Sequence, residues 1–291
     1  MFYVEHPKNE KKNTTPPLSF LDSKKMASSF SSFSSSPTYT LTFGDQAENH
    51  VGMEKLGEAL DRGLTLQDLT RLRVALDGFP TELYDLSELL DDEKVRGETE
   101  PAHVLVIRQG LAGLLTRPEE VDAFFEEQHA LPKDEKAKMY GRVVNKHARH
   151  NLCFSDVGHP ANYEAGLGTV IPFTQVPLLS EVRERIRELI GHRLVAEGNY
   201  YHNPSKCGIG YHGDSERRIV VGIRVGATMP LHFRWYHQSE VISRTRKLSL
   251  AHGDVYVMSD KAVGHDWKLR TRYTLRHAAG SAKFLDQEHD R

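Results

Sequence analysis

The sequence is poor in cysteine and tryptophan, with two of each among 291 residues, and it contains no long apolar run. Cys153 and Cys207 lie far apart and form no CxxC pair. That excludes a disulfide framework and a thiolate zinc site, and it suits a reducing compartment. No stretch approaches the ~18 apolar residues of a membrane span, so no membrane partner is expected. Net charge is also scarce, at −2, but this hides an asymmetry. Residues 141–291 hold 22 Lys and Arg against 15 Asp and Glu, whereas the first 140 hold 16 against 25. A basic half is what contact with nucleic-acid phosphates requires, although an ordinary solvated surface accounts for the same balance.

The chain divides into three stretches. Residues 1–38 are rich in Ser, Lys and Pro without apolar periodicity, the composition of a disordered tail. Within them "MASSFSSFSSS", from Met26, is free of acidic residues as organellar transit peptides are, but it lacks arginine. The location is otherwise expected to be intracellular, in nucleus or cytoplasm. Residues 39–135 read as a small α/β accessory domain. "YTLTF" alternates as a strand, and "DQAENHVGMEKLGEALDRG" has helical spacing through Val51, Leu56 and Leu60. His50 falls in that expected helix, as a surface or capping residue. "TLQDLTRLRVALDG" opens a further helix at a Thr cap, and "AHVLVIRQGLAGLL" begins with a buried strand. Residues 140–285 carry one amphipathic helix, "PLLSEVRERIRELIGHRL", and then short β-rich runs separated by Gly, Pro or charged turns. That spacing predicts a sandwich or small barrel, and the fold class is α+β.

The chemistry concentrates in "GYHGDSERR", residues 210–218. In an extended strand His212 and Asp214 project to one face, and a buried Asp214 needs a cation or a donor. Two imidazoles and one carboxylate form the facial triad of non-haem iron(II) oxygenases. His265, in "GHDWK" after the Gly253–Asp254 turn, is the expected distal ligand, with His277 as the alternative. In "RTRYTLR" the residues Arg270, Arg272, Thr274 and Arg276 would share one strand face. An arginine beside a metal calls for an anionic partner, and 2-oxoglutarate is a dicarboxylate that chelates iron at its other end.

These residues carry a resemblance. The segment Asn199–Ala279 is similar to the catalytic core of the AlkB family of iron(II)/2-oxoglutarate dioxygenases. "NYYHNPSKCGIGYHGDSE" resembles the family's N-x-Y followed by HxDxx(D/E), and "LAHGDVYVM" its HGD strand. "RTRYTLRHAAG" is similar to its closing arginine motif, with Arg272 in place of the usual Asn. The resemblance implies a double-stranded β-helix (jelly-roll) core and oxidative removal of alkyl groups from DNA or RNA bases. It implies iron(II) on His212, Asp214 and His265, and 2-oxoglutarate on Asn199, Tyr201, Arg270 and Arg276. The gap from His265 to Arg270 is shorter than the family's, which puts Arg276 in competition with Arg270 for the distal carboxylate. Glu216 would stand near the damaged base. "RHNLCFSD" is similar to the lid segment of nucleic-acid-acting members, which brings in Arg149, while Phe154 or Tyr163 would stack on an extruded base. A protein hydroxylase or demethylase on the same fold, and a non-catalytic jelly-roll binding protein with a vestigial triad, remain open. No obligate protein partner is expected.

Overall fold

The computed structural model describes residues 37–286, so the Ser-rich tail and its transit-like stretch from Met26 lie outside the described residues. Eight strands form the larger sheet. In spatial order they are β4 (Thr81–Asp85), β5 (His103–Ile107), β16 (Val255–Met258), β12 (Val220–Gly226), β1 (Thr38–Gly44), β10 (Val195–Tyr201), β8 (His150–Ser155) and β9 (Val170–Pro172). The smaller sheet runs β11 (Gly208–His212), β17 (Thr274–Gly280), β13 (Met229–His237) and β14 (Glu240–Val241), with β15 (Arg246–Leu250) also paired to β13. Two hairpins stand apart, β2 (Gln46–Glu48) with β3 (Lys55–Gly57), and β6 (Lys136–Met139) with β7 (Arg142–Asn145). Pairing is antiparallel except between β8 and β9. The architecture is mixed α+β, dominated by antiparallel strands.

Alternation along the strands creates two cores. In β1, "TYTLTFG", Tyr39, Leu41 and Phe43 join a cluster with Leu69 and Leu72 of the helix Leu66–Ala75, Phe124 and Phe125 of Val121–Ala130, and Leu179, Val182 and Ile186 of Pro177–Ile190. The helices therefore cover one face of the larger sheet. Thr65 caps the first of them in a capping box with Asp68, as its sequence predicts. On the opposite face Tyr201, Val220, Tyr256 and Met258 of the larger sheet share a second core with Leu231, Phe233, Trp235 and Leu275 of the smaller one. The result is three layers: helices, large sheet, small sheet.

Two expectations are corrected. Residues 39–135 are not a separate domain: β1 is inserted between β10 and β12, and β5 lies beside β16. Periodicity identifies a strand but not its partners, and every partner here is distant in sequence. The stretch expected as a helix through Val51, Leu56 and Leu60 is instead the β2–β3 hairpin, with His50 in its connection. Gly52 and Gly57 both adopt positive φ, at 88° and 79°, which a helix does not permit.

Candidate metal centre

The site begins with a strand pairing. β11 lies beside β17, and the register sets His212 opposite His277. Beyond His212 the chain turns at Gly213, where a Cβ would stand 2.0 Å from the Gly264 carbonyl oxygen. The Asp214 amide donates to the Val263 carbonyl at 3.1 Å. This turn carries the Asp214 carboxylate back to both imidazoles. Asp214 Oδ1 is 3.5 Å from His212 Nε2 and 3.7 Å from His277 Nε2. One ligand atom from each of the three residues falls within a 4.8 Å group.

The donor set fits a divalent metal. His212 Nδ1 is 2.8 Å from the Gly210 carbonyl, which can only accept, so the proton sits on Nδ1 and Nε2 presents a lone pair. Burial, with His277 next, pushes His212 down to about 3, so the ring is neutral. For Asp214 burial acts upward, but Arg217, His277 and His212 outweigh it and hold the carboxyl well below the usual range. Arg217 is buried and bonds Glu197 at 2.6 Å and Glu216 at 2.6 Å, with Asp214 at 3.7 Å. His212 thus presents an unprotonated Nε2, and the Asp214 carboxylate is ionised. Two imidazoles and one carboxylate suit iron(II).

The group opens on a cavity of about 470 Å³ between the two sheets. Its wall holds polar atoms that have no hydrogen-bond partner among the described residues: Thr40 Oγ1, Arg217 Nη1, Arg224 Nε and Nη1, and His277 Nδ1. Arg224 is the most telling. It is 1% exposed on β12, its guanidinium lies 6.0 Å from the Tyr201 ring, and no carboxylate among the described residues bonds it. Burial lowers its pKa, a cost that an anionic ligand would offset.

The structure sorts the expected residues. Asn199, Tyr201, Glu216 and Arg149 line the cavity. The Asn199 side chain is already engaged, accepting from Arg149 at 2.6 Å and Asn151 at 2.9 Å and donating to Glu197 at 3.1 Å. His265 is not with His212 and Asp214; its Nδ1 accepts from Arg218 at 2.9 Å, and His277 takes the third place. Arg276 precedes His277 on β17 and therefore faces outward, over the Tyr236 ring at 4.1 Å. Arg270 precedes the strand, and its carbonyl accepts from the Gln238 amide. Neither arginine lines the cavity. Phe154 is fully buried on the helix-facing side, packed near Phe173. Tyr163 donates to Asp134 at 2.8 Å, away from the cavity. Arg224 went unread at the sequence level, although a lone arginine inside the apolar run "IVVGIRV" was a signal for it.

No family model matches the sequence. An uncharacterized protein of Acanthamoeba polyphaga mimivirus is 45% identical over 251 residues, covering 85% of this chain and 97% of the viral one. The chain belongs to that protein's family. An alignment of 251 residues is longer than the segment 140–285, so the family unit includes strands from both halves of the chain. This agrees with the interleaving of β1, β4 and β5 into the larger sheet.

Proposed function

We propose that the chain is an iron(II)/2-oxoglutarate-dependent dioxygenase with a double-stranded β-helix core, acting on alkyl groups of nucleic-acid bases. One observation carries the reading: the His212–Asp214–His277 group and the unpartnered guanidinium of Arg224 line the same cavity. A metal chelator with a carboxylate at its far end satisfies both.

Bound iron would supply oxygen activation coupled to conversion of 2-oxoglutarate to succinate and CO₂. The chain's own residues do the rest. The Gly210 carbonyl orients His212, and Arg217 keeps Asp214 ionised. Arg224 would receive the distal carboxylate in place of Arg270 or Arg276, with Thr40 Oγ1 as an additional unpaired polar atom nearby on the wall. Val220, Leu231 and Met258 give the cavity an apolar wall that keeps bulk water out. Trp267 lines the cavity and is anchored by Nε1 donating to Ser215 Oγ at 2.9 Å. With Phe154 and Tyr163 elsewhere and Tyr201 and Tyr256 of the lining buried, Trp267 would stack on a base.

The test is succinate formation with iron(II), 2-oxoglutarate and oxygen, with and without a panel of alkylated DNA and RNA strands. Succinate that is lost in His212→Ala and His277→Ala, survives His265→Ala and rises with one strand is the expected result. Succinate indifferent to every strand would move the substrate to protein. None above the His212→Ala background would sink the oxygenase.

A further inference from the structure

The smaller sheet has two unlike faces. Leu231, Phe233, Trp235 and Leu275 point into the shared core, while the residues between them on β13 and β17 point the other way. On that outer face Arg234 and Arg276 are direct cross-strand partners. Like charges in directly opposed positions repel, so this register is unfavourable on its own. Neither guanidinium pairs with a carboxylate among the described residues, and Asp286 bears on the same face at Tyr211 and His232. Arg234 Nε donates to Thr245 Oγ1 at 2.7 Å, and Arg276 reaches only the Trp267 carbonyl, at 3.5 Å. Arg276 Nε is buried without a partner.

Both guanidiniums lie over aromatic rings. Arg234 lies 4.6 Å from the Tyr211 ring, and Arg276 lies 4.1 Å from Tyr236 and 5.4 Å from Trp267. A guanidinium stacked in this way leaves its in-plane N–H groups to bind an oxyanion in fork geometry. Lys247 adds an exposed charge on the same face, since its cross-strand partner His232 shares the outward side of β13 with Arg234. From Trp267 to Lys283 the sequence holds Lys268, Arg270, Arg272, Arg276 and Lys283 and no acidic residue.

The two faces meet at Trp267, whose ring lies beside Arg276 on the outside and lines the cavity on the inside. We infer that the outer face of the smaller sheet is the docking surface for a single-stranded nucleic acid. Phosphates sit on the Arg234–Arg276 pair and Lys247, and the strand passes Trp267 at the cavity mouth. This rests on the proposed reading of the cavity as the catalytic end. Charge complementarity argues for a polyanion, and the arginine–aromatic layering argues for nucleic acid over an acidic peptide. A cavity of about 470 Å³ admits a single unpaired base but not a duplex.

The experiment is fluorescence anisotropy of a short labelled single strand with the full chain, titrated across salt without iron. The variants are Arg234→Gln with Arg276→Gln, Lys247→Glu, and Arg185→Gln with Arg187→Gln on the helical layer as a charge-matched control. The double variant should bind at least about tenfold more weakly, with the salt slope reduced by about 2, one for each lost phosphate contact. Lys247→Glu, exposed and harmless to folding, should weaken binding in the same direction, and the control should match wild type. Wild-type affinity and slope in both the double variant and Lys247→Glu would overturn the proposal. So would absence of binding by wild type, or equal competition by a polyglutamate peptide. Because no turnover is needed, failure here is separable from failure of the succinate assay.

Discussion

The two faces of the larger sheet are built from the same strands and do opposite things. Toward the helices, β1 presents Tyr39, Leu41 and Phe43, and β12 presents Ile223 and Val225, all in one apolar cluster. Toward the smaller sheet, β1 presents Thr40 and Thr42, β10 presents Glu197, Asn199 and Tyr201, and β12 presents Arg224. The first face satisfies itself by packing. The second leaves Thr40 Oγ1 and Arg224 Nε and Nη1 without a partner among the described residues, groups that water or a ligand in the cavity must satisfy. Period-2 alternation lets one strand serve both ends, with each residue assigned to a task by parity alone.

The comparison can be broken most sharply at the metal group. His277→Ala should abolish iron binding and succinate formation, whereas His265→Ala should leave iron stoichiometry intact; the reverse pattern by metal analysis would show the ligand set to be wrong. The helix-facing side should fail differently. Phe43→Ala should cost about 3–5 kcal/mol in urea unfolding, and Thr42→Ala, one residue away on the other face, far less. Equal losses at the two positions would erase the distinction between the faces.

Arg224→Met sharpens it further. Half-saturation by 2-oxoglutarate should rise about tenfold or more, while stability holds or increases, because an unpaired buried charge gives way to an apolar side chain. A destabilised variant with normal co-substrate affinity would mean that Arg224 is structural. The smallest effect is a pH dependence. Lys146 bonds Asn49 at 2.7 Å and Asn151 at 3.0 Å, and burial pushes it down to about 8. Between about 8 and the ordinary lysine value the unfolded chain holds a proton that the folded chain has released. Stability therefore gains from this group as pH rises through that window. Measured against Lys146→Met, wild type should gain relative stability across it; a flat difference would remove Lys146 from the account.

Part of this was readable in advance. His212 and Asp214 announced themselves through glycines on both sides, and the α+β class followed from the alternating runs. The third member of the candidate group did not. His265 and His277 are both plausible by chain distance, and the β11–β17 register selects His277 by placing it directly across from His212. The arginines of "RTRYTLR" looked like an anion site because three share one parity. Of the three only Arg276 lies on β17, and it faces outward because His277 occupies the inward side.

The sequence by itself determined the strand β1, the helices Leu66–Ala75 and Pro177–Ile190, the capping box of the first of them, and the close spacing of His212 and Asp214, because those properties depend on neighbours a few residues apart. Only the tertiary structure decided that β1 completes the larger sheet, that His277 joins His212 and Asp214, and that Arg224 Nε and Nη1 face the cavity without a partner among the described residues. Each depends on which strand lies beside which, and that pairing is set by burying the two cores together.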